Sequence, residues 1–321
     1  ADLAAQTRRA QDVDLARWGR YLDAAGVRAG EARWAAEPAA WGGVSWGLVE
    51  GFLRWQERAG YSLASIARAL STVRAYCTHA ARAGILAPEA LALIQTVKAP
   101  APRSKAGRNR DAQRETTRRG AKKAAPTRLS LAQARGLRRA HPDTPQGRRD
   151  ALLMCLLLDH GLRVSELADL QVADLDLGQG MLRFYRRKVD ATQTHRLTGD
   201  TLRAARRYVE AGDAPEAGQL LRTTERPRSP QLGAGISIQG LRDRVRILGA
   251  RAGVAGLSPH DCRHFWATRA AHAGTDPLAL QEAGGWSSLA MPRRYIAAAA
   301  IANDRVRLGA DEDDLGQAEP A

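Results

Sequence analysis

Eight consecutive apolar residues, Ala151 to Leu158 (ALLMCLLL), end abruptly at Asp159. The run falls far short of the ~20 residues that span a bilayer. A helix that is apolar on every face must instead be enclosed by other elements. The run therefore predicts a buried helix, over 148–159, inside a substantial folded domain. With 321 residues the chain has room for one large or two ordinary domains. Its 44% hydrophobic and 26% charged residues exclude a wholly disordered chain. The opening stretch ADLAAQTRRAQDVD carries charges throughout and no apolar core segment, so no secretory signal is expected. Cys77, Cys155 and Cys262 are odd in number and far apart. That pattern excludes a disulfide framework and a paired-cysteine zinc site, and it predicts a reducing, cytoplasmic setting. No metal or other cofactor is expected.

Net charge narrows the partners. Forty-nine Lys and Arg against 34 Asp and Glu leave +15 at pH 7, an excess that points to a polyanion, nucleic acid before others. More than half of that excess lies in one segment. Residues 99–128 hold ten basic and two acidic side chains among Pro, Gly and Ala, with no apolar period. The segment reads as a basic interdomain linker. Arg103, Lys105, Arg108, Arg110, Arg118, Arg119, Lys122 and Lys123 are its candidates for contact with a phosphate backbone, where each neutralised phosphate releases counterions. A plain solubilising spacer is the alternative reading. The tail 309–321, with DEDD at 311–314, is acidic and is expected to be disordered.

Periodicity divides the rest into two parts. Residues 1–98 read as a helical domain. Leu15, Trp18 and Leu22 share a face, as do Val49, Phe52 and Leu53. Leu63, Ile66, Leu70, Val73, Cys77 and Ala81 mark a longer amphipathic helix, and another short helix follows Pro88. Residues 129–308 read as a mixed domain. Ser130 caps a first helix, and two short strands, 181–188 and 194–197, flank a turn at 189–193. Helices follow at 200–211, 238–253, 261–273, 277–283 and 292–307. The fold class is thus mainly α with a small β-hairpin or sheet.

Four segments of the second part carry reactive side chains, and each has an ordinary structural reading when taken alone. In GLRVSELADL (161–170), Arg163 opens an amphipathic helix. In the hairpin LRFYRRKVDATQTHRL (182–197), Lys188 sits where the first strand meets the turn. In SPHDCRHFWATRA (258–270), Ser258, Pro259 and Asp261 form a helix start that places His260 and Arg263 on one face. In GGWSSLAMPRRYIAAAA (284–300), Pro292 is expected to start a helix with Tyr295 in its first turn. Together they form an ordered set, Arg163, Lys188, His260, Arg263, Trp286 and Tyr295, with spacings of 25, 72, 3, 23 and 9 residues.

That set resembles the tyrosine recombinase, or phage integrase, family. GLRVSEL is similar to its first arginine box, HDCRHFWAT to its HxxR box, and GGWSSLAMPRRYI to the box in which His or Trp precedes the nucleophilic Tyr by nine residues. SLASIARALSTVRAYCTHAARAGIL, residues 62–86, resembles the helical core-binding domain of these enzymes. The resemblance covers about residues 10–308 and implies a two-domain, Xer-like architecture. Two departures stand out. Gly284 occupies a place where the family carries Leu, which predicts looser packing at that helix end, and Pro292 stands where Thr is common.

The resemblance implies a site-specific recombinase that cuts and rejoins DNA through a 3′-phosphotyrosyl intermediate and a Holliday junction, without metal or ATP. It makes Tyr295 the nucleophile. Arg163 and Arg263 would grip the non-bridging oxygens and lower the phenol pKa. His260 would transfer protons, Lys188 would protonate the leaving 5′ oxygen, Trp286 would pack and donate beside the phosphate, and Glu166 would orient the arginine or histidine. It implies double-stranded DNA as partner, a dimer per site and a homotetramer on paired sites, with accessory DNA-bending or directionality proteins and a nucleoid-associated location. Two other functions share the features: a type IB topoisomerase-like relaxing enzyme, and a catalytically silent DNA-binding accessory protein.

Overall fold

The computed structural model describes residues 5–27, 34–99, 127–187, 189–224 and 231–299. Lys188, the basic residues from Arg103 to Lys123, and the acidic tail lie outside the described residues. The chain divides into two compact units, Ala1–Lys123 and Ala124–Ala321.

Unit 1 is helical: α1 (Ala5–Ala24), a 3₁₀ turn (Pro38–Trp41), α2 (Trp46–Arg58), α3 (Leu63–Arg82) and α4 (Pro88–Thr96). Serines set the helix starts. The Ser45 hydroxyl accepts from the Leu48 amide, and that of Ser62 from the Ser65 amide, each satisfying a first-turn donor. Of the periodic residues of α3, Leu63, Ile66, Leu70, Val73 and Cys77 are buried and Ala81 is half-buried. They pack in a core with Trp18, which stacks on Trp41 at 6.1 Å and meets Phe52 edge-on at 5.1 Å. Two charged side chains, Asp14 and Arg17, are buried with that core. The fully buried Asp14 carboxylate accepts from Arg68 Nη2 at 2.7 Å, Arg68 Nε at 3.0 Å and Thr72 Oγ1 at 3.1 Å, which ties α1 to α3.

Unit 2 surrounds the apolar run. It contains α5 (Leu131–Arg139), α6 (Pro145–Asp159), α7 (Val164–Asp169), β1 (Leu175–Asp176), β2 (Met181–Arg186), β3 (Ala191–Arg196), α8 (Gly199–Glu210), β4 (Arg222–Thr224), β5 (Leu232–Gly235), α9 (Ile238–Arg251), α10 (Pro259–His272), α11 (Pro277–Gly284) and α12 (Ala290–Ala299). Leu152 to Leu158 in α6 are buried without exception, enclosed by α5, α8 and α10. Ser130 and Gln133 form a reciprocal capping box on α5. Cys77, Cys155 and Cys262 are buried and in no disulfide, and burial pushes the Cys77 and Cys155 thiols up to about 12.

Several boundaries differ from expectation, each for a local reason. Helix α6 begins at Pro145, because Thr144 caps it and Pro is well suited to the first position. The first strand of the hairpin is shorter than expected, the second is longer, and the turn between them comes earlier. β2 ends at Arg186, and β3 starts at Ala191 and pairs antiparallel with it in the register Met181↔Arg196 to Arg186↔Ala191. The polar sequence Ala-Thr-Gln-Thr-His-Arg gives no apolar alternation to announce a strand. Asp190, at φ 50°, makes the turn and accepts a hydrogen bond from the Tyr185 hydroxyl. The short β1, and the pair β4–β5, were not expected either. Helix α12 starts at Ala290 rather than Pro292. Proline is tolerated there because first-turn amides have no acceptor within the helix. Tyr295 is therefore in the second turn, not the first.

Candidate active site

The site assembles around the C-terminal end of α11. The helix stops at Gly285, which adopts φ 55°, ψ 51°, the left-handed cap that glycine favours. A helix end normally leaves its last carbonyls without partners. Here four successive carbonyls accept side-chain donors. Glu282 O accepts from Gln193 Nε2 at 2.7 Å, and Ala283 O from Arg186 Nη2 at 2.8 Å. Gly284 O accepts from Arg186 Nη1 at 3.0 Å and also from Arg263 Nη2. Gly285 O accepts from Arg163 Nη2 at 2.7 Å. The donors come from the hairpin, from the start of α7 and from α10. The negative end of the helix dipole favours such cations.

Arg163 is the N-cap of α7. Its amide donates to Glu166 Oε2 at 2.8 Å and its Nη1 to Glu166 Oε1 at 2.7 Å. Glu166 is buried, and the same Oε1 accepts from Arg186 Nη1 at 3.2 Å. Arg263 reaches the site because Ser258 and Asp261 cap α10 reciprocally with Pro259 in its first turn. Its Nη1 donates to Gly161 O. Gly161 has φ 60°, and a Cβ there would meet the Trp266 ring at 2.3 Å, so both backbone conformation and close ring approach require glycine. Burial, then the neighbouring Arg163 and Arg186, pull the Arg263 pKa down to about 9, which still leaves it charged at pH 7.

Tyr295 is 2% exposed. Its ring meets His264 edge-on at 4.8 Å and lies tilted to Trp286 at 5.7 Å. Trp286 in turn faces the Arg263 guanidinium, 4.7 Å from its centroid. Burial raises the Tyr295 pKa, against the lowering effects of Arg263 and Arg294. This reverses the expected direction, because removing a phenolate from water outweighs the two cations.

The structure thus brings together Arg163, Glu166, Arg263, Trp286 and Tyr295. His260 is exposed at the start of α10, with its ring 6.1 Å from that of His264. Lys188 and the basic-segment residues, as stated, are outside the described residues. Gly284 does not loosen the helix end as its small size suggested. A Cβ there would meet Trp286 ring atoms at 2.2 Å, so the missing side chain makes room for the indole.

Sequence reasoning missed three residues at the site. Arg186 occupies an inward position of β2, in register with the buried Leu182 and Phe184, and a charge on that face is the signal that could have found it. His264 is four residues from His260 on one helix face. Gln193 gave no signal in a strand that was read as a turn.

Comparison with known proteins places the chain. Residues 127–301 match the model of the phage integrase family, and the chain belongs to that family. It is 31% identical over 264 residues to tyrosine recombinase XerD of Xanthomonas axonopodis pv. citri (strain 306), covering 79% of this chain and 78% of that one. It is 28% identical over 263 residues to tyrosine recombinase XerC of Mycobacterium sp. (strain KMS), with coverage of 79% and 78%. Among solved structures, a lambda integrase (75–356) dimer bound to a COC′ core site superposes with TM-score 0.62 at 15% identity, over 95% of this chain and 93% of that chain. XerH recombinase bound to difH substrate, a pre-cleavage complex, superposes with TM-score 0.60 at 16% identity, over 89% and 74%. These structures share the fold.

Proposed function

We propose that this chain is a site-specific DNA recombinase that cleaves and rejoins duplex DNA, with Tyr295 as nucleophile. The observation that carries this reading is the convergence of Arg163, Arg263 and Trp286, from separate segments, beside a single buried tyrosine. Among the described residues, Arg163, Arg186 and Arg263 against the carboxylate of Glu166 leave an excess of two positive charges. A phosphodiester carries one negative charge and gains a second on attack by a phenolate, so the excess suits the transition state better than the substrate. Each guanidinium has five N–H donors. Arg163 and Arg263 therefore have donors beyond those given to the carbonyls, which can meet non-bridging oxygens.

In the proposed step Tyr295 loses its proton and its oxygen bonds to phosphorus, while the bond from phosphorus to the 5′ oxygen breaks. The leaving oxygen takes a proton, for which Lys188 is the proposed donor, and His260 is the proposed exchanger of the phenol proton. The phosphotyrosyl ester preserves the phosphodiester's bond energy, so the reverse attack by a 5′ hydroxyl needs no external energy source. Arginine contact with the phosphate offsets the burial that disfavours the phenolate. We further propose that residues 1–98 and 129–308 both contact duplex DNA, and that the basic segment 99–128 follows its backbone. Two chains act per site and four on paired sites through a Holliday junction, with accessory DNA-bending or directionality proteins, in a cytoplasmic, nucleoid-associated setting.

Covalent attachment tests the reading. The native protein and Tyr295→Phe are incubated with nicked suicide duplexes from the DNA flanking the gene and run on a denaturing gel. A shifted band that is lost in Tyr295→Phe is expected. Tight binding to one fragment with no band would leave a silent DNA-binding protein. Relaxation of a supercoiled plasmid lacking the attached sequence would mark a topoisomerase.

A further inference from the structure

The Arg186 side chain is fully buried, the most enclosed of the three guanidiniums at the site. It cannot touch a phosphate from there. Its Nη1 and Nη2 hold the carbonyls of Gly284 and Ala283, its Nη1 also meets Glu166 Oε1, and its guanidinium carbon lies 4.8 Å from the Phe184 ring centroid. Its Nε is buried without a partner among the described residues. Burying a guanidinium on a strand is costly, and an apolar side chain of similar volume often serves stability as well or better. The contacts say where the charge is used. Gly285 has no room for a Cβ, because one would lie 2.5 Å from Arg186 Cδ, so the turn is built directly on this side chain. That turn leads into Trp286, which faces Arg263 and Tyr295. Glu166, shared between Arg163 and Arg186, links the same side chain to the other arginine. On the partner strand Gln193 adds a second fastening to Glu282 O.

We infer that Arg186 is a positioning residue: together with Gln193 it fixes the β2–β3 hairpin against the end of α11, and so sets the placement of Trp286, Arg163 and Arg263 around Tyr295. This rests on the recombinase reading above. The hairpin is the element that carries Lys188, so one buried side chain relates the turn end of the hairpin to the turn beside the nucleophile.

The test separates placement from stability and from DNA binding. Arg186→Met, Arg186→Lys and Gln193→Ala are compared in the full chain with the native protein. The probe is the nicked duplex to which the native protein attaches. Unfolding midpoint, affinity for that duplex and single-turnover attachment rate are measured. A misplacement near 1 Å can cost about a hundredfold in rate. Arg186→Met is expected to remain folded, to bind within about threefold of native and to attach between about ten- and a hundredfold more slowly. Arg186→Lys, which keeps the charge but not the fork, should recover part of that loss, and Gln193→Ala should slow attachment about threefold or more. A folded Arg186→Met that attaches at the native rate overturns the positioning role and leaves the recombinase reading intact. If Arg186→Met does not fold, native rates in both Arg186→Lys and Gln193→Ala overturn it equally. A native chain that attaches to no fragment overturns the reading on which this one rests.

Discussion

Gly284→Ala isolates the contact that replaced an expected weakness. Gly284 is the last residue of α11, and its φ is not in the left-handed region, so alanine suits the backbone. In a helix the exchange gains up to about 1 kcal/mol. The new Cβ, however, would lie 2.2, 2.3 and 2.7 Å from three atoms of the Trp286 ring. A ring cannot yield as the end of a flexible chain can, and overpacking of this kind costs typically about 1–3 kcal/mol. The net expectation is a loss of about 0–2 kcal/mol in the native background. Without the ring the sign reverses. In Trp286→Ala, the added methyl meets space, and the same change should stabilise by up to about 1 kcal/mol. The double-mutant cycle should therefore show a coupling of about 1–3 kcal/mol. Urea unfolding of the four full-length proteins, followed by circular dichroism, measures it, and the transition that shifts in Trp286→Ala identifies unit 2. Attachment should slow in Gly284→Ala, because the displaced indole leaves the face of Arg263. Equal destabilisation by Gly284→Ala with and without the indole would refute the argument, since the cost would then lie in the backbone.

Two further outcomes follow from buried charge. Glu166→Gln keeps the shape but removes the carboxylate that bridges Arg163 and Arg186. Breaking a buried pair costs about 3–5 kcal/mol, so a loss near 3 kcal/mol is expected by urea unfolding, and a loss below 1 kcal/mol would mean that the carbonyls alone hold both arginines. His160 and His195 are held neutral by burial, with pKa pulled down to about 4 and about 3 from 6.5. The unfolded chain binds more protons between those values and pH 6.5, so stability is full above pH 6.5 and is lost as pH falls through that window. At pH 5 the two together should cost a few kcal/mol, roughly 2 from each. The double variant His160→Asn, His195→Phe should flatten the dependence between pH 7 and 5, and an unchanged slope would assign it to other groups.

Much of this was legible because it rests on local chemistry. Ser130, Ser258 and Pro259 announce helix starts by what their own atoms can do, and the apolar run of α6 announces its burial. Arg163, Arg263, Trp286 and Tyr295 were candidates because their order and spacing resemble those of a known family, and the fold brings them together. Other features depend on what lies across space. Burial reverses the shift expected for Tyr295, and charges can be counted in a sequence where desolvation cannot. Arg186, between Tyr185 and Arg187, looks like any basic residue of a surface hairpin until the register turns it inward. The strand β3 is held by pairing with β2, not by its own polar residues. Gly284 reads as a deficit until the indole is seen lying against it.

The arginines at the end of α11 are held largely by peptide carbonyls. A carbonyl is present whatever residue bears it. The side chains of Glu282 and Ala283 can be exchanged without deleting one acceptor, and only Gly284 and Gly285 are restricted, by the crowding of Trp286 and Arg186. An anchorage made of main chain is mutationally robust. Lineages can vary the outer face of this helix, or an engineer can graft new contacts onto it, while the guanidiniums beneath keep their places.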